Sequence, residues 1–76
     1  MMKSVHEYRG YVFTIEYDAK EPAYSVAYFD VPEIITSGDT LGQAFMNACE
    51  ALDLHLESLQ KLGLPWPEIK RHVVVA

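Results

Sequence analysis

The amino-acid sequence predicts an α+β fold in the order β-β-β-α-β, a four-stranded mixed sheet with one long helix packed on one face. Three observations predict it. Tyr11, Phe13, Ile15 and Tyr17 alternate with Val12, Thr14 and Glu16, a period-two run rich in β-formers. From Thr40 to Gly63, apolar residues recur at helical spacing between two well-marked ends. Ile69 to Val75 is then a β-branched run that reads as a strand.

Strand one is expected from about Tyr8 to Asp18, with its aromatic face towards the helix. Asp18-Ala19-Lys20-Glu21-Pro22 is polar and turn-like, so a hairpin follows. Ala23 to Phe29 is the second strand, with Tyr24, Val26 and Tyr28 on one face and Ala27 and Phe29 on the other. Asp30-Val31-Pro32 breaks it, because proline has no N–H to give to a central ladder. Glu33 to Ser37 makes a short third strand.

The helix has the clearest limits. Thr40 and Gln43 form a capping box, in which the Thr hydroxyl accepts from one orphan backbone N–H and the Gln side chain reaches back to another. Lys61 in the last turn, Gly63 just beyond it, then Pro65 and Pro67 mark the far end. Leu41, Ala44, Phe45, Ala48, Cys49, Ala51, Leu52, Leu56, Leu59 and Leu62 fall on one arc at 100° per residue. Such a helix is about 30 Å long and spans the whole domain. Trp66, between two prolines, reads as a plug over the end of the core. The meander is antiparallel, and the last strand is expected beside the first, parallel to it through a right-handed crossover.

The chain of 76 residues is read as a single domain, 1–76. Eleven acidic residues against six basic ones give a net charge of −5, which argues against direct nucleic-acid binding and suits a basic protein partner. Cys49 is a lone cysteine on the apolar arc, so a small core residue in a reducing compartment is expected. No signal-like segment or long apolar run is visible, and the expectation is a cytoplasmic protein without membrane contact.

Chemistry-bearing patterns are few. His6, His55 and His72 are too scattered for metal ligation, and no cofactor site is expected. His55, beside Ala44, Ala48 and Ala51 on the arc, reads as a core histidine. Glu16 and Glu50 begin, but do not complete, the acid set of a two-metal nuclease. No nucleophile elbow, phosphate loop or helix-turn-helix is present. The chain is therefore read as non-enzymatic. Met46 and Leu54, outward on the helix, and an uncovered sheet face make a homodimer or tetramer the expected state.

Tyr24-x-Val26, Phe29-Asp30-Val31-Pro32, Thr36-Ser37-Gly38-Asp39-Thr40-Leu41 with Ala44, Asn47-Ala48, Glu50-Ala51-Leu52, Leu56, Leu59, Gly63 and the Pro65-x-Pro67 pair carry a further signal in combination. Together they resemble the HicB-like antitoxin family over about Tyr11 to Val75. The resemblance implies a partial ribonuclease H-like unit without nuclease residues. It also implies an antitoxin that binds and blocks a small basic HicA-like endoribonuclease toxin of a type II toxin-antitoxin system. Gly42-Gln43 stands where the family usually carries two acids, and Glu33 where a glycine is common. No helix-turn-helix or ribbon-helix-helix domain for operator binding is read in the chain.

On that reading Tyr28, Asp30 and Glu33 are the expected partner-binding residues, gathering acid and aromatic character on one turn. The alternative is an orphan protein-binding or self-assembling module without an active toxin. A third reading, a vestigial metal-dependent nuclease, would need Glu16 to take part.

Overall fold

Alternation of inward and outward side chains builds the sheet of this protein, whose structure, a computed structural model, describes residues 3–70. Strands β1 (Lys3–Tyr8), β2 (Tyr11–Asp18), β3 (Ala23–Tyr28) and β4 (Ile35–Gly38) precede a single helix, α1 (Leu41–Lys61). The strands lie in the order β1-β2-β3-β4, and every pairing among the described residues is antiparallel. The α+β architecture of four strands and one long helix is as predicted.

Two details differ. The single strand expected over Tyr8 to Asp18 is only the second half of a hairpin. Arg9 and Gly10 both have positive φ, 54° and 86°, the combination that a type I′ two-residue turn requires. Lys3–Tyr8 then runs back along β2, with Tyr8 opposite Tyr11 and Lys3 opposite Glu16. The edge position beside β2, expected for the C-terminal strand, is thus held by β1, and the described sheet is antiparallel rather than mixed. Of the strand expected over Ile69 to Val75, Ile69 and Lys70 lie outside any strand, and the remainder falls outside the described residues.

Register sorts the two faces. Phe13 lies opposite His6 and Tyr28, and Ile15 opposite Ser4 and Val26, so these side chains share the helix face. Tyr11, Phe13, Ile15, Val26 and Tyr28 are buried there against Ala44, Ala48, Leu52 and Leu56 of α1. The buried stripe is narrower than the predicted arc, with Leu41, Phe45 and Leu62 exposed. A four-stranded sheet covers only one side of a helix, and two alanines in the stripe let the backbones approach closely.

The caps follow the sequence. Gln43 N–H donates to the Thr40 hydroxyl at 3.0 Å, and Asp39 N–H donates to the Gln43 side-chain oxygen at 2.6 Å. At the other end Gly63, at φ 70°, donates to Gln60 and Leu64 donates to Leu59, a Schellman motif that satisfies two orphan carbonyls.

The direction of the backbone groups also follows. Phe29 N–H donates to the Val12 carbonyl at 3.1 Å, which fixes the phase of the alternating bonded pairs. Thr14 and Ala27 are then a bonded pair, while Tyr24 and Val26 bond towards β4. Ile35 and Ser37 of β4, and Lys3, Val5 and Glu7 of β1, are left with backbone groups directed away from the sheet.

Candidate partner-binding surface

The loop between β3 and β4 is pinned from beneath. Val31 is fully buried and Ile34 nearly so, with Ile34 N–H donating to the Val31 carbonyl at 3.1 Å. Between these anchors Pro32 and Glu33 are held outward. Glu33 Oε2 stands 3.6 Å from His55 Nε2, so the loop is tied to α1 whenever that ring is protonated. His55 is therefore a rim residue with a carboxylate partner, not the enclosed core histidine that its alanine neighbours suggested. The Asp30 carboxylate accepts from Lys70 N–H at 3.1 Å and so holds the segment that follows α1.

Tyr28 does not share this exposed turn. It is 4% exposed, its ring lies 4.8 Å from that of Phe13, and its hydroxyl donates to the Ala48 carbonyl at 2.8 Å. Burial pushes its phenol well above the ordinary value, with the neighbouring Cys49 and Asp53 adding to the effect. A side chain so enclosed has no surface to offer, and Tyr28 is withdrawn from the candidate set. Period two already placed it beside Val26 on the helix face. Aromatic character near the loop was the misleading signal.

A second polar cluster lies where the β1–β2 turn meets the helix. The Tyr8 hydroxyl donates to Asp53 at 2.8 Å, and Arg9 Nη1 pairs with the other carboxylate oxygen at 2.9 Å. The hydrogen bond to Asp53 holds the Tyr8 phenol above its usual value. The Arg9 guanidinium also sits 4.9 Å from the centre of the Trp66 ring, within cation–π range. Trp66 is thus a half-exposed platform under Arg9 rather than a plug. The Tyr11 hydroxyl donates to the Pro67 carbonyl at 2.7 Å, which completes the seat of the connector. Burial and the Asp53 charge hold Cys49 as a thiol above its usual range, which suits packing and not nucleophilic attack.

Along the other flank of α1, Met46 and Leu54 are 71% and 57% exposed, as the helical spacing predicted. An open cleft of about 180 Å³ on this flank is lined by Thr36, Asn47, Glu50, Ala51 and Leu54. Asn47 Nδ2 donates to the Ser37 carbonyl at 2.8 Å, fastening this flank to β4. Glu16 points to the opposite face of the sheet, where it pairs with Lys3 at 3.8 Å. The sheet therefore separates Glu16 from Glu50, and no group of three metal-ligating side chains occurs among the described residues. Nor is any helix among them long and apolar enough to cross a membrane.

A family model described as the HicB-like antitoxin of bacterial toxin-antitoxin systems matches residues 11–73. The chain belongs to the HicB-like antitoxin family. No curated protein and no solved structure matches it. The HicB-like match opens at Tyr11, the first residue of β2, and takes in the Asp30–Glu33 loop, the whole of α1 and the connector. Membership of an antitoxin family implies a toxin as the partner of this HicB-like chain.

Proposed function

We propose that this chain is a non-enzymatic antitoxin that neutralises a small basic HicA-like mRNA-cleaving toxin by stoichiometric binding in the cytoplasm. The family match over residues 11–73 carries the reading. The net charge of −5 supports it, because an acidic protein both attracts a basic RNA-binding face and covers it. The separation of Glu16 from Glu50 by the sheet supports a partial ribonuclease H-like unit that does no metal-assisted cleavage of its own.

Asp30 and Glu33 remain the proposed contact residues, now without Tyr28. Glu33 is the better probe, since Asp30 also holds the Lys70 amide. The test is RNA cleavage by the basic product of the adjoining reading frame, with and without one equivalent of this chain. Inhibition at equal stoichiometry is expected. Glu33→Lys should weaken binding and flatten its salt dependence. Undiminished cleavage in the presence of excess chain would refute the antitoxin reading, and wild-type affinity in the variant would remove the loop from the interface.

A self-assembling module without an active toxin is the second reading, favoured by the exposure of Ile35 on the sheet face away from the helix and of Met46 and Leu54 on the helix. An adjoining frame with no inhibitable nuclease activity would favour it.

A further inference from the structure

The two edge strands of the sheet differ in what they leave open. On β4 only Ile35 and Ser37 direct backbone groups outward, and Asn47 already takes the Ser37 carbonyl. On β1 the outward residues are Lys3, Val5 and Glu7, and all three side chains are exposed on the face away from the helix. No described residue pairs with that edge. An open edge of this length is a template for another strand.

The sequence of β1 states which strand fits. Laid antiparallel against a copy of itself with Val5 opposite Val5, the strand sets Lys3 opposite Glu7 and Glu7 opposite Lys3. All three outward residues then face outward residues, so each pair exchanges two backbone hydrogen bonds. The side chains agree with the backbone: a cation meets an anion at both ends, and valine meets valine on the axis. A shift by one residue would set outward groups against inward ones. A shift by two in one direction brings Lys3 opposite Val5, and in the other Val5 opposite Glu7, which loses the charge matching. One register satisfies both requirements.

We propose that β1 is a homodimer interface, in which two copies join edge to edge across a two-fold axis into one continuous sheet. The contact is isologous, so it closes on itself and leaves no further β1 edge to recruit a third chain. It also joins the sheet faces turned away from the helix, extending the cross-strand row of Val5, Thr14, Ala27 and Ile35 from one copy to the next. The helices, the Asp30–Glu33 loops and the Glu50 clefts remain outside the contact. Dimerisation therefore does not depend on the antitoxin reading.

Sedimentation equilibrium on the full chain tests the proposal. The wild type should behave as a dimer. Glu7→Lys sets lysine against lysine at both ends and should weaken association by roughly tenfold or more. Lys3→Glu with Glu7→Lys reverses both charges and should restore most of it, since the lost Lys3–Glu16 pair is half-exposed and contributes little. Val5→Pro removes a donor that the intrachain ladder does not use, and should give a monomer with an unchanged circular dichroism spectrum.

A monomeric wild type overturns the proposal. So does a dimer indifferent to both Glu7→Lys and Val5→Pro, which would place the contact on the helix flank or the sheet face away from the helix. A double variant no stronger than Glu7→Lys alone overturns the register. Should Val5→Pro fail to fold, the charge-reversal pair decides the question without it.

Discussion

The β4 edge and the β1 edge belong to one sheet but are finished in opposite ways. At β4 the helix lies alongside: α1 packs chiefly on β4 and β3, and Asn47 reaches down to the strand's backbone. Gly38 leaves the space for this, because a side chain there would run into the backbone of Ala44. At β1 no described residue pairs with the outer backbone groups, and Ser4, His6 and Tyr8 are only half-buried on the helix side. The helix sits off-centre. Packing is therefore concentrated over β3, β4 and the middle of β2, and among the described residues the β1 side is the less covered.

Four substitutions sharpen that contrast, beginning under the helix. Leu52 is fully buried, so Leu52→Ala should cost about 2–5 kcal/mol in chemical denaturation through lost transfer energy and a residual cavity. Gly38→Ala should cost about 1–3 kcal/mol, because the new methyl forces β4 and the first turn of α1 apart. A loss within about 0.5 kcal/mol at Gly38 would show that the helix is not seated on this edge.

Tyr28→Phe should cost about 1 kcal/mol by removing the hydroxyl's bond to the Ala48 carbonyl. It should also change the alkaline limb of stability. The Tyr28 pKa is raised in the folded chain above its ordinary value of 10.0, so the folded state keeps a proton that the unfolded chain releases. Stability is thus full below about pH 10 and falls above it. The variant should show a shallower decline in melting temperature over that range, and an identical decline would assign the effect elsewhere. The smallest change is expected on the sheet face away from the helix. Ile35 is 89% exposed, and Ile35→Thr should alter unfolding by no more than about 0.5 kcal/mol. A larger loss would mean that this face is covered in solution.

The same contrast explains what the sequence disclosed. The helix was legible to the residue, Leu41 to Lys61, because its ends are set by local chemistry: Thr40 and Gln43 at one, Gly63 and the prolines at the other. The aromatic face of β2 was legible because it alternates cleanly. β1 was not, since Lys-Ser-Val-His-Glu-Tyr is polar on both faces and shows no hydrophobic period. Its turn was hidden as well, because Arg-Gly is a weaker hairpin signal than Asn-Gly or Asp-Gly. Of the candidate surface, Glu33 is exposed as expected, but it lies on the turn before β4, Ile35–Gly38, and not in the strand expected over Glu33 to Ser37. Tyr28 was misplaced by proximity in sequence, though its own alternation with Val26 pointed inward. The His55–Glu33 and Arg9–Asp53 pairs join positions distant along the chain, and no local pattern announces such partners.

Arg9 answers to two demands that no single residue type meets. Its backbone, at φ 54°, is in a region where glycine or asparagine is at ease and a long side chain is not. Its side chain must extend to Asp53 on the helix and lie over Trp66 beyond it. Glycine would relax the turn and lose both contacts, and asparagine is too short to make them. In terms of sequence choice, position 9 is a compromise settled in favour of the distant contacts. The least comfortable backbone in the first hairpin is what ties sheet, helix and C-terminal connector together at one corner.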